Sequence, residues 1–124
     1  MININIEADC GNAPKKTFLK DFNIAFARND IGFILDHVSE QVSWELVGDR
    51  VIRGKTDMQA ALEEMAASPM EEMTLEKIIT HGTDAAASGR IKMQGKEFAF
   101  CDLYRFGGFK GTTLREITSF VVPL

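Results

Sequence analysis

Beyond Pro69 the chain gives up helical spacing and alternates apolar with polar residues nearly to its end. Met73 to His81 reads as one strand, closed by Gly82-Thr83-Asp84. Ala85 to Met93 reads as the next, with Ser88, Arg90 and Lys92 on the wet side and Ala87, Gly89, Ile91 and Met93 on the dry side. Gln94-Gly95 is a tight turn, Glu97 to Phe106 a third long strand, and Gly107-Gly108 leads to a last one over roughly Thr113 to Val122, stopped by Pro123. Long strands joined this closely pair antiparallel, and a sheet with one dry face needs something to cover it.

The N-terminal half supplies that cover. Asn12 and Pro14 read as a helix start, followed by Phe18, Phe22, Ala25 and Phe26 on one face with Leu19 beside them. This helix ends near Asn29, and Asp30 caps a shorter one, IGFILDHV. Val42, Trp44 and Leu46 then alternate as a strand, Gly48-Asp49 turns, and Val51-Ile52 is a short strand piece. Thr56 and Gln59 form a capping-box pattern that opens a third helix, with Met58, Ala61, Leu62 and Met65 on one side, ended by Pro69. Helices and hairpin-linked strands kept apart in this way give an α+β fold, a cone-shaped curved antiparallel sheet wrapped around the N-terminal helices. A few helices cannot fill such a concave face, so the cone holds a ligand pocket.

At 124 residues the chain fits one domain, residues 1–124, large enough for a core without disulfide staples. Its net charge of −4, with no Lys/Arg cluster, excludes a phosphate-binding surface, so no nucleic-acid partner is expected. No apolar run is long enough to span a membrane, and MININIEADCGN lacks the pattern of a signal peptide, so a cytoplasmic protein is expected. Cys10 and Cys101 form no CxxC pair, and no HxxxH or Cys/His cluster occurs, so neither a metal nor a cofactor is expected.

One residue breaks the alternation. One face of the Glu97–Phe106 strand reads Phe98, Phe100, Asp102, Tyr104, Phe106. A carboxylate among aromatics must either find a donor or stay protonated, and desolvation raises its pKa towards neutrality, where it can do acid–base work. The alternative is a structural Asp bonded to a backbone N–H or to Arg105 or Arg115. On the earlier strand, Trp44 and Glu45 point to opposite faces, so one of them faces the pocket and the other solvent.

The whole chain, from about Asn12 to Val122, resembles the NTF2-like superfamily, in particular its SnoaL-like and ketosteroid-isomerase-like members. The stretch VSWELVGDRVIRGK, Val42 to Lys55, carries the resemblance together with the helix from Thr56 and the closing CDLYRFGGFK and LREI segments. The fold implied is the NTF2-like, cystatin-like cone. Ketosteroid isomerases use one carboxylate as base, with a Tyr and a protonated Asp as oxyanion donors. The resemblance puts the base at Glu45, the protonated acid at Asp102, and the Tyr at Phe22, where this chain has no hydroxyl; Tyr104, two residues past Asp102, offers a substitute. Related dehydratases pair histidines with an Asp, which makes His81 a second candidate base.

These readings imply a SnoaL-like protein that binds a small apolar or carbonyl-bearing molecule. Cofactor-free proton transfer would follow, as in isomerisation, cyclisation or dehydration. Asp102 is expected as acid or oxyanion donor, Glu45 or His81 as base, and Phe22, Phe26, Trp44, Met65, Phe100 and Tyr104 as the pocket lining. A non-catalytic ligand-binding or interaction module is the alternative. Ala99, Cys101 and Leu103 form an apolar strip on the outer sheet face, expected to pair two copies as a homodimer.

Overall fold

The computed structural model describes residues 2–108 and 111–124; Phe109 and Lys110, in the last loop, lie outside the described residues. In chain order the elements are β1 (Asn3–Ile6), α1 (Pro14–Arg28), α2 (Ile31–Asp36), β2 (Val38–Leu46), β3 (Arg50–Arg53) and α3 (Lys55–Met65), followed by β4 (Glu72–His81), β5 (Asp84–Met93), β6 (Lys96–Phe106) and β7 (Leu114–Pro123). The strands form one unclosed, curved sheet in the order β1-β4-β5-β6-β7-β2-β3. This is the expected α+β architecture, with helices against the concave face.

Two pairings are parallel, β1 with β4 and β2 with β7; the others are antiparallel. The second parallel pair joins the N-terminal half to the end of the C-terminal meander, so Trp44 of β2 lies beside Ile117 of β7. At the other end of the sheet, β4 carries a bulge between Leu75 and Lys77. Opposite it stands Gly89, where a Cβ would collide with the Thr74 carbonyl oxygen and press on the Phe100 ring. Glycine permits this close strand approach.

The helix ends depart from the sequence reading in three places. Asn12 does not cap α1; Ala13 occupies the N-cap position without a side-chain bond, and Pro14 stands where its missing N–H costs nothing. α3 begins one residue before Thr56, with Gly54 as N-cap at φ 86°. The Gly54 N–H is held by the Val42 carbonyl at 2.7 Å, which docks the helix start on β2 and leaves the Thr56/Gln59 box unused. α2 stops at Asp36, and Val38 opens β2 rather than ending the helix. Asp30 caps α2 as expected, its Oδ1 accepting from the Phe33 N–H at 3.2 Å.

Leu19 and Phe22 of α1, Ile34 of α2, Met58 of α3, and Val42, Leu75 and Leu114 of the sheet are completely buried. They fill one part of the cone. The other part is left open, and the functional candidates surround that space.

Candidate functional site

The sheet register determines what faces the cone. Ala87, Asp102, Ser119 and Leu46 form one row across β5, β6, β7 and β2. The next inward row runs Ala85, Tyr104, Ile117, Trp44, Ile52. Strand alternation therefore brings Asp102, Tyr104, Ser119 and Trp44 to adjacent positions on one face. α1 crosses above them and contributes Asn23 and Phe26, both of which line the same cavity.

The cavity has a volume of about 430 Å³, within the usual range of small-molecule pockets. Its walls are mostly apolar. Phe26, Trp44 and Phe100 supply aromatic surface, and Ile34, Leu46, Leu62, Ile91 and Ile117 supply aliphatic surface. Four of the six methionines, Met65, Met70, Met73 and Met93, also line it, giving a wall that is adaptable in shape. The exposed lining residues Glu64, Ser68 and Val121 mark where the cavity meets solvent.

At the polar end, hydrogen bonds converge on Asp102. The Tyr104 hydroxyl donates to Asp102 Oδ2 at 3.2 Å. Asn23 Nδ2 donates to Tyr104 Oη at 3.1 Å and to the Leu19 carbonyl at 2.8 Å, which ties Tyr104 to α1. From the other side, the Trp44 indole N–H donates to Ser119 Oγ at 2.9 Å, and Ser119 stands beside Asp102 in the β6–β7 register, where its hydroxyl helps keep the carboxylate ionised. Burial pushes the Asp102 pKa up to about 6 from an ordinary 3.8, against the opposing pull of the Ser119 and Tyr104 hydrogen bonds. Tyr104 is held well above its ordinary value, first by burial and then by the adjacent carboxylate charge, so it stays a neutral donor.

Neither arginine proposed as a structural partner reaches Asp102. Arg105 pairs with Asp84 at 3.1 Å and Glu116 at 3.4 Å, and Arg115 with Glu116 at 3.7 Å. Among the described residues no Lys or Arg lines the cavity.

The other expected site residues divide. Phe26, Trp44, Met65, Phe100 and Tyr104 line the cavity with Asp102. Phe22 does not; it is completely buried behind the wall, 5.3 Å from Phe26 and 6.2 Å from Tyr104 between ring centres. Glu45 is exposed on the outer row, beside Thr118 of β7 and Val51 of β3. Alternation that turns Trp44 inward must turn Glu45 outward. His81 is exposed at the end of β4, paired in register with Asp84, and does not line the cavity. The two residues expected as base therefore stand away from Asp102, and a His–Asp relay does not form.

Asn23 and Ser119 were missed by the sequence reading. Both carried the signal that exposed Asp102, a polar residue on an apolar stripe: Asn23 among Leu19, Phe22 and Phe26, and Ser119 between Ile117 and Val121.

Comparison with known proteins agrees with this architecture. A family model described as the SnoaL-like domain matches residues 19–111. No curated protein sequence matches. Among solved structures, an NTF2-like protein of unknown function from Burkholderia xenovorans superposes with a TM-score of 0.76 at 14% identity, covering 92% of this chain and 87% of that one. SalBIII, an epoxide hydrolase/cyclase-like enzyme of pyran ring formation in the polyether salinomycin, gives 0.73 at 12% identity, covering 86% and 89%. An epoxide hydrolase from M. tuberculosis described as LEH-like gives 0.69 at 15% identity, covering 83% and 74%. At these identities the likeness is one of fold.

Proposed function

The chain belongs to the SnoaL-like domain family, with the NTF2-like fold, and from that premise we propose that it binds a small, largely apolar molecule in its cone and that Asp102 acts there as a general base. The observation that carries this reading is the direction of the hydrogen bonds. Tyr104 donates to the carboxylate and Ser119 stands beside it in register, and both favour its ionised form. With a pKa of about 6, Asp102 is ionised roughly ten to one at pH 7 yet basic enough to take a proton from a weak acid. The sequence alone suggests Asp102 as acid or oxyanion donor; this reading makes it the base instead. Asp102 accepts the proton from the bound molecule, the bond's electron pair stays on the ligand, and the protonated Asp102 returns the proton at a second position.

Proton transfer of this kind requires a placed carboxylate and little water, and no cofactor. Epoxide hydrolase and cyclase chemistry in neighbours of the same fold is compatible with it. Trp44 and Asn23 act as positioning residues, because each reaches Asp102 only through a hydroxyl.

A base-sensitive probe tests the reading without knowledge of the natural substrate. 5-Nitrobenzisoxazole opens to a cyanophenolate when its ring C–H is removed: the proton goes to the base and the N–O bond breaks. Its kcat/KM is expected to rise with pH through one ionisation near 6 and to fall by about a hundredfold in Asp102→Asn and Asp102→Leu. Unchanged turnover in Asp102→Leu overturns the assignment. Ligand-induced thermal stabilisation with no turnover favours the second reading, a ligand-binding module. That reading draws on Phe22, which has no hydroxyl, and on the outward positions of Glu45 and His81.

The outer sheet face supports a homodimer. Leu103, Phe120 and Val122 are exposed there, and Cys101 pairs with Phe120 and Ala99 with Val122 across β6 and β7. Such an apolar strip suits a two-fold contact. Light scattering at micromolar concentration should give twice the chain mass; a monomeric mass contradicts this arrangement.

A further inference from the structure

The polar end of the cavity has spent its protons. Both amide protons of Asn23 go to the protein, one to the Leu19 carbonyl and one to Tyr104 Oη. The Tyr104 proton goes to Asp102 and the Trp44 indole proton to Ser119, whose hydroxyl stands beside the Asp102 carboxylate across the β6–β7 pair, a strong acceptor for its one proton. Lone pairs remain. Asp102 keeps acceptor capacity towards the cavity it lines. Asn23 is 6% exposed, and its Oδ1 has no partner among the described residues. That oxygen is not sealed in the protein either, because Ser39 Oγ is the one buried side-chain atom without a partner among those residues. It therefore opens on the cavity that Asn23 lines.

We propose that the molecule this cavity takes is an apolar body bearing a hydrogen-bond donor, a hydroxyl or an ammonium group, and not one recognised through a carbonyl or a carboxylate. The inference rests on the cavity being the ligand site and narrows what it holds. A ligand carbonyl placed against Asp102 and Asn23 Oδ1 meets acceptors on both sides, and both are left unpaired as water is expelled. A ligand carboxylate also meets the Asp102 charge, with no cation lining the cavity among the described residues. A donor satisfies one or both acceptors. A hydroxyl also supplies the proton that a base at Asp102 would take. The remaining polar lining, Asn29, Ser68 and Glu64, is at the ends of α1 and α3, where Ser68 and Glu64 are exposed and water competes for them. Sites built to pair a polar group discriminate strongly against analogues that leave it unpaired.

The test uses one skeleton with four head groups: 2-decalol, 2-aminodecalin, 2-decalone and decalin-2-carboxylate. Affinities are measured at pH 8 by calorimetry on the wild-type chain. The better of the two donor ligands is expected to bind about tenfold or more tighter than the ketone and the carboxylate. Asp102→Leu removes the main acceptor and should bring the alcohol and ketone together; Asp102→Asn, which adds amide protons, should raise ketone affinity. A ketone or carboxylate within tenfold of the better donor, or no binding by any of the four, overturns the inference. Benzisoxazole opening by Asp102 alongside equal alcohol and ketone binding overturns this inference alone. Donor preference without ring opening overturns only the assignment of Asp102 as base.

Discussion

Asp102 destabilises the fold that contains it. Its pKa of about 6 in the folded protein lies above the ordinary 3.8, so the folded state holds the proton more tightly than the unfolded chain. Stability therefore falls as pH rises from about 4 to about 6, and the whole deficit, about 2 to 3 kcal/mol, is present above that range. Asp102→Asn should accordingly gain up to about 2 kcal/mol in urea unfolding at pH 8 and nothing at pH 4. An equal gain at both pH values would mean that the carboxylate charge is not the cause. Tyr104→Phe removes a donor to the ionised carboxylate and strands an Asn23 proton, so the Asp102 midpoint should rise above 6, as read by carboxyl NMR. Asp102 was legible in the sequence because strand alternation is strict and a carboxylate among four aromatics violates it. Ser119 and Asn23 were not legible as its partners, since their relation to Asp102 depends on the register of β7 and the crossing of α1, which local pattern does not encode.

Elements were read better than their connections. The hairpin turn at Gln94-Gly95 has positive φ at both residues, 52° and 75°, as a two-residue turn requires. β1 escaped notice because four residues, NINI, provide too short a pattern, and they gain strand character only by parallel pairing with β4 about seventy residues away. The β2–β7 pair is likewise non-local, and without it Trp44 could not reach Ser119. The bulge in β4 gives the sheet part of its bend. Gly89→Ala, which drives a methyl into the Thr74 carbonyl, should cost about 2 kcal/mol or more in unfolding free energy and shift the Phe100 side of the cavity. Asp30→Ala should cost about 1 kcal/mol by removing the α2 cap, with little effect on ligand binding, because Asp30 does not line the cavity.

Taken as a whole, the molecule is a cone with a solid half and a hollow half, and its acidic group is on the hollow side. The sheet positions Asp102 and Tyr104 by register, α1 ties Tyr104 in place through Asn23, and the methionine-rich wall is adaptable in shape. The inward turn of Trp44 and the outward turn of Glu45 separate two surfaces, the cavity we propose for a small molecule and the apolar strip we propose for a second copy of the chain. Phe120→Lys on that outer face should yield monomers by light scattering without changing the affinity of the cavity. Every functional statement depends on the Asp102 carboxylate being desolvated but unpaired with any cation. The direct measurement is a carboxyl carbon-13 NMR titration of the wild-type chain, with Asp102 assigned by its loss in Asp102→Asn. A midpoint near 6 is the predicted result; a midpoint at or below about 4 would contradict the account.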